Sequence, residues 1–212
     1  MKIKICGITS VAEADYLNDN KVDYAGFVFY EKSKRNISLD KARAICKRLK
    51  PDIKKVAVMV SPTPEEFTEK ENENFDMIQI HGKLDVNVLD KARKDVWYAI
   101  NLSDDEFGEK IAYLEALNDK QSDKIKGIVI DSKNFGSGEA FDWQKNKDKL
   151  STKLIKDKAF ILAGGLNKEN VGEAIKLLKP DIVDVSSGVE LGKDKIGKDK
   201  RLIEQFVEAV RM

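Results

Sequence analysis

Short apolar runs rich in β-branched residues recur along this chain, and longer stretches with apolar positions three and four apart lie between them. The short runs have the signature of buried strands, and the longer spacing is that of helices with one face on a sheet. The pattern predicts strands near 2–6, 23–29, 54–60, 76–80, 96–101, 126–131, 158–163 and 181–186. Seven helix-like stretches separate them and an eighth closes the chain, so a βα unit recurs about every 26 residues. Helix starts are marked by Ser10-Val-Ala-Glu13, Thr63-Pro-Glu-Glu66 and Ser103-Asp-Asp-Glu106, which have the spacing of a capping box, and Pro64 suits a first helical position. Val171, Ala174, Ile175 and Leu178 share one helix face, as do Leu202, Ile203, Phe206, Val207 and Val210. Cys46 falls with Ala42, Ile45 and Leu49 on another and is expected in the core.

Eight such units with no Pro/Gly/Ser-rich linker predict an α/β protein: one closed (β/α)₈ barrel domain spanning residues 1–212. An open doubly wound sheet is the other solution, but it is expected to carry an early GxGxxG turn, which this chain lacks. Either way, ligand chemistry belongs at the carboxyl ends of the strands.

Composition narrows the partners. The formal net charge is +1, from 38 basic and 37 acidic residues, which is not the footprint of a nucleic-acid binder. The start of the chain has no apolar h-region of a signal peptide, and no run approaches the ~18 apolar residues of a membrane span. Cys6 and Cys46 form no CxxC, so neither a zinc site nor a redox dithiol is expected, and a reducing, cytoplasmic setting is. The expected partner is a small molecule, with no nucleic acid and no membrane; the chain reads as a monomer or a homodimer.

Alternation along the strands then selects side chains. In Lys2-Ile3-Lys4-Ile5-Cys6 the isoleucines face the helices, while Lys2, Lys4 and Cys6 face the barrel interior. Cys6 stands at the mouth, either as a base whose thiol a cation or helix end activates, or as a buried structural cysteine. The same parity turns Asp131 inward at the end of strand 6, as an acid or base or as a loop cap, and Asp184 inward in strand 8, as a ligand contact or a hydrogen-bonded interior carboxylate. Turns with Gly164-Gly165 after strand 7 and Ser187-Gly188 after strand 8 sit where barrels of this kind bind phosphate. A third turn, Phe135-Gly136-Ser137-Gly138, follows Asp131 and is placed to fold over a ligand. Arg35 lies in the basic turn after strand 2, as a carboxylate clamp or a solvated charge; it is one of six arginines against 32 lysines. His81, the one histidine, ends strand 4, and a lone histidine cannot build a multi-histidine metal centre.

Taken together, several runs make the chain resemble the phosphoribosylanthranilate isomerase family. They are Lys4-Ile-Cys6-Gly-Ile-Thr9, Gly26-Phe-Val-Phe29 with Ser33-Lys-Arg35, Gln79-Ile-His81-Gly82, Ile130-Asp131 with 136–143, Leu162-Ala-Gly-Gly-Leu166 with Asn170-Val171, and 184–190 with Gly197-Lys-Asp199. They occur in the family's order over nearly the whole chain. The resemblance implies an Amadori rearrangement of an aminoaldose to an aminoketose with no cofactor and no metal. It implies Cys6 as the general base at the sugar C2′ and Asp131 as the general acid at the ring oxygen. Arg35 would hold the anthranilate carboxylate, Gly164, Gly165, Ser187 and Gly188 the phosphate, with His81 and Asp184 in support. The chain departs from the family's pattern at 56–62 after strand 3, in the shorter glycine turn before Phe141, and in 191–197, which lacks a proline. A non-catalytic phosphosugar-binding barrel is the rival of another class. An indole-glycerol-phosphate synthase or a histidine-pathway isomerase is the nearer rival, and Cys6 in strand 1 argues against both.

Overall fold

The computed structural model of the chain describes residues 1–101, 107–131, 157–192 and 195–212. Eight parallel strands close into a barrel in sequence order, with β1 hydrogen-bonded to both β2 and β8. The strands are β1 (Lys2–Cys6), β2 (Tyr24–Phe29), β3 (Lys54–Val60), β4 (Met77–His81), β5 (Asp95–Asn101), β6 (Ile125–Asp131), β7 (Ala159–Leu162) and β8 (Ile182–Val185). Each lies within a residue or so of the span its apolar run predicts. The closed barrel, not the open sheet, is the architecture.

Helices α1 (Val11–Asn20), α2 (Leu39–Arg48), α3 (Pro64–Glu71) and α4 (Val86–Lys91) each follow one strand. Two helices, α5 (Phe107–Glu115) and α6 (Asp119–Lys124), fill the gap between β5 and β6 where one is expected. Asn118 breaks the stretch by capping α6, its side chain accepting from the Gln121 amide. Helices α7 (Val171–Leu178) and α8 (Lys200–Arg211) follow β7 and β8.

Alternation along the strands separates two apolar layers. Ile3, Ile5, Ile128 and Ile130 join the layer between strands and helices, which Leu17, Phe67, Val171, Ala174, Ile203, Phe206, Val207 and Val210 complete from the helix side. Ile175, Leu178 and Leu202 flank it, and Cys46 sits there half-buried at the margin. The barrel interior holds Tyr24, Val56, Val58, Trp97, Val129 and Ile161, with Cys6 packed against them at the top. Lower down, the Tyr24 and Trp97 rings meet edge to face at 5.0 Å, and the Lys2 ammonium lies 5.9 Å from the Tyr24 centroid. The interior is therefore a packed plug with an open upper end.

Of the expected capping boxes, only Thr63–Glu66 is present among the described residues. Ser10 caps nothing through its side chain. Glu13 turns away from it and accepts from the Thr9 amide at 2.7 Å and the Lys198 amide at 3.3 Å, tying the start of α1 to the loop before α8. The Ser103–Glu106 expectation lies outside the described residues.

Candidate active site

The upper end of the barrel opens into one cavity. Cys6, Arg35, His81, Asp131, Gly164, Gly165, Asp184 and Ser187 all line it, with Tyr30, Ser33, Val58, Val60, Gln79 and Ser186 between them. These residues come from seven strands or the loops that follow them. Gly188 is not in the lining; it stands behind the wall. A β-carbon there would sit 2.0 Å from the Leu166 carbonyl oxygen, so only glycine lets the loops after β7 and β8 touch. The glycine turn around Gly136 lies outside the described residues.

At Cys6 the register explains the space. Cys6 pairs with Gly26 on β2, and a β-carbon on Gly26 would lie 2.9 Å from Sγ. Burial pushes the thiol above its ordinary value, while the positive charges of Lys4 and Lys198 pull the other way and lose. The thiolate is thus the minor form at neutral pH.

Beneath it, Lys4 and Asp184 pair across β1 and β8, in the register that puts them side by side. Lys4 Nζ donates to Asp184 Oδ2 at 2.7 Å, and the side chains are 0% and 6% exposed. Burial alone would lower the lysine, but the charges of Asp184 and Cys6 outweigh it and hold Lys4 above its ordinary value. The two opposite charges therefore compensate each other beneath the cavity, and Asp184 is the member that lines it.

His81 is neutral: burial, then the charge of Lys4, pushes it down to about 4. Its Nε2 lies 2.7 Å from Gln79 Nε2. Asp131 occupies the last position of β6. Gly164 and Gly165 both adopt positive φ, +83° and +65°, a conformation that residues with a β-carbon resist. They turn the chain sharply after β7 at the cavity rim.

Arg35 is held by a group that sequence reasoning missed. Its Nε donates to Glu190, which also accepts from Lys34 at 2.8 Å and Lys198 at 3.3 Å. Burial would raise Glu190, but the hydrogen bonds of Arg35 and Lys34 and the charge of Lys198 bring it down to about 2. Lys198 is fully buried, and it further donates to the Ser186 carbonyl at 3.0 Å and hydroxyl at 3.2 Å. Ser186 in turn donates to the Cys6 carbonyl at 3.0 Å. One chain of polar contacts thus runs from Arg35 to the strand that carries Cys6. Glu190 and Lys198 carry no periodic signal, being loop residues whose partners are remote. Gln79 was legible: it lies two residues before His81 and shares its inward parity.

The carboxyl end of β3 presents Val58 and Val60 to the cavity, while Met59 turns outward into the core. That wall is apolar and suits a flat hydrocarbon surface. The cavity as a whole offers a thiol, two carboxyls, an arginine, a histidine and the turns after β7 and β8 around an apolar flank. This set can bind a ligand with anionic groups at two ends and move protons between them.

Among known proteins, the sequence model of the family described as N-(5′-phosphoribosyl)anthranilate (PRA) isomerase matches residues 3–209. A relative of that name from Petrotoga mobilis is 37% identical over 215 residues, covering 99% of this chain and 97% of the relative. A solved phosphoribosyl anthranilate isomerase in complex with reduced 1-(o-carboxyphenylamino)-1-deoxyribulose 5-phosphate superposes with a TM-score of 0.81 at 32% identity, covering 100% of this chain and 98% of that one. A structure of mutually generated monomers of the dimeric enzyme from Thermotoga maritima gives a TM-score of 0.77 at 31% identity, with the same coverage.

Proposed function

The chain belongs to the N-(5′-phosphoribosyl)anthranilate isomerase family, and from that premise we propose that the cavity at the top of the barrel carries the family's reaction with Cys6 and Asp131 as its acid–base pair. The protein is a phosphoribosylanthranilate isomerase of tryptophan biosynthesis. The reaction opens the furanose ring of an N-glycoside and moves a proton from the sugar C2′, so that the aminoaldose becomes an aminoketose. Asp131 gives a proton to the ring oxygen as the C1′–O bond breaks. Cys6 takes the C2′ proton, and the enamine so formed tautomerises to the ketone.

The observation that carries this reading is the convergence of Cys6, Asp131 and Arg35 on one cavity from β1, β6 and the loop after β2. Each element supplies what the chemistry asks for. The cations Lys4 and Lys198 near the thiol favour its ionised form against burial, which is what a base needs. Arg35 offers its terminal nitrogens to the anthranilate carboxylate while Glu190 holds Nε. The aromatic ring lies against Val58 and Val60. Gly164, Gly165 and Ser187 take the phosphate at the rim, with Gly188 keeping the two loops together. Asp184 supports the floor through Lys4, and His81 meets the ligand as a neutral ring.

The ligand on this reading is a small phosphate ester, and the enzyme works in the cytoplasm as a monomer or homodimer. No helix among the described residues is long and apolar enough to cross a membrane.

The test is consumption of freshly made phosphoribosylanthranilate, followed by its fluorescence, with Cys6→Ala and Asp131→Asn alongside. Each substitution should cost ~10²–10⁴ in kcat. Turnover surviving both would reject the assigned pair. Binding without turnover by the wild type would favour a non-catalytic phosphosugar barrel.

A further inference from the structure

Gln79 is a polar side chain of the barrel interior whose arrangement the acid–base chemistry leaves unused. It is 1% exposed, and its neighbours in register, Val58 on β3 and Trp97 on β5, offer it no polar side chain but the Trp97 indole N–H. Its amide nitrogen lies 2.7 Å from His81 Nε2, and its Oε1 is buried with no hydrogen-bond partner among the described residues. An amide nitrogen can only donate. A contact of this length therefore requires a bare lone pair on His81 Nε2, and in a neutral ring the proton then sits on Nδ1. In this orientation the amide nitrogen faces Nε2, while Oε1 and the second amide hydrogen are left without a partner among the described residues. Among the described residues the His81 ring makes no other hydrogen bond, so Nδ1 is left for what enters the cavity.

We propose that Gln79 is a positioning residue that fixes the tautomer of His81, so that the ring presents an Nδ1–H donor to an oxygen of the bound ligand and not a bare acceptor nitrogen. This rests on the reading of the cavity as the isomerase site. Its consequence is selectivity for ligand acceptors at that point. The ring stays neutral because burial and the charge of Lys4 disfavour the imidazolium. It therefore acts as a fixed donor and takes no part in proton transfer.

The chain contains one histidine, so its imidazole nitrogens give one set of signals. Long-range ¹H–¹⁵N correlation on ¹⁵N-labelled, ligand-free protein at pH 8 reads the tautomer directly. The wild type should show the Nδ1–H form. In Gln79→Glu, a carboxylate that only accepts draws the proton to Nε2, and the pattern should invert. Gln79→Met keeps the volume, removes the hydrogen bond and should give a mixture of both forms. With phosphoribosylanthranilate, kcat/KM should fall on the order of tenfold or more in Gln79→Glu and less in Gln79→Met.

A wild-type spectrum of the Nε2–H form, or an unchanged tautomer in a folded Gln79→Glu or Gln79→Met, overturns the proposal. So does an inverted tautomer with unchanged kcat/KM, because the ring would then not meet the ligand through Nδ1. If Gln79→Glu does not fold, the wild type and Gln79→Met carry the same decision. The spectrum needs no turnover, so an inactive protein with the Nδ1–H form would reject the isomerase reading of the site and leave the tautomer assignment standing.

Discussion

Replacing Glu190 by Gln tests whether the ion cluster at the cavity rim holds Arg35 in place. Glutamine keeps the shape and one acceptor but removes the charge shared by Arg35, Lys34 and Lys198. The Glu190 side chain is 7% exposed and Lys198 is 0% exposed, so this pair is poorly screened; Lys34, at 44%, adds little. Glu190 titrates at about 2 in the fold against 4.5 as an ordinary glutamate, so its folded-state value is depressed. The stabilisation is therefore full above 4.5 and fades as pH falls toward 2. At 1.36 kcal/mol per pH unit that is about 3 kcal/mol at pH 7 and about 1 kcal/mol at pH 3. Urea unfolding of both proteins from pH 7 to pH 3 measures the gap. In the assay, KM should rise on the order of tenfold with kcat little changed, as expected when an arginine that binds the ground state loses its anchor. A gap that stays constant with pH would mean the loss is packing and not charge. A gap below about 1 kcal/mol at pH 7 would place the cluster with ordinary surface pairs and refute the reasoning.

Lys4→Met strands the Asp184 carboxylate inside the barrel and should cost about 3–5 kcal/mol, and Lys4→Met/Asp184→Leu should regain most of it; a double variant no more stable by thermal melting than the single one would exclude the stranded charge as the cause. Gly188→Ala pushes a methyl group against a backbone carbonyl at 2.0 Å and should lose at least about 1–3 kcal/mol, while Gly108→Ala in α5, with nothing within 4 Å, should gain roughly 0.5–1 kcal/mol; denaturant midpoints compare the two. Because burial holds the Cys6 thiol above its ordinary value, alkylation of Cys6 by iodoacetamide in a Cys46→Ser background should accelerate with pH through the alkaline range, and kcat/KM should climb over the same range. A flat alkylation profile between pH 7 and pH 9 would show a thiol already ionised, contrary to the burial argument.

How much was legible before the fold was seen depends on the range over which each signal acts. The period-two alternation is set by the backbone of one strand, so the sequence by itself determined that Ile3 and Ile5 face the helices and that Lys4, Cys6, Asp131 and Asp184 face inward. It determined the eight strands for the same reason, and the Thr63–Glu66 box because both partners lie within one helical turn. The Ser10–Glu13 spacing fits the same rule, yet Glu13 spends its carboxylate on Thr9 and on Lys198, 185 residues away. Local spacing cannot see such a competitor. Likewise Arg35 and Glu190 are 155 residues apart, and only closure of β8 onto β1 brings their loops together. The contact of Gly188 with Leu166 and the pairing of Lys4 with Asp184 depend on that closure and on its register. The sequence determined which side chains point into the barrel, because that is geometry within a strand; the tertiary structure decided which of them meet, because the distances between strands exist only once the ring of eight is closed.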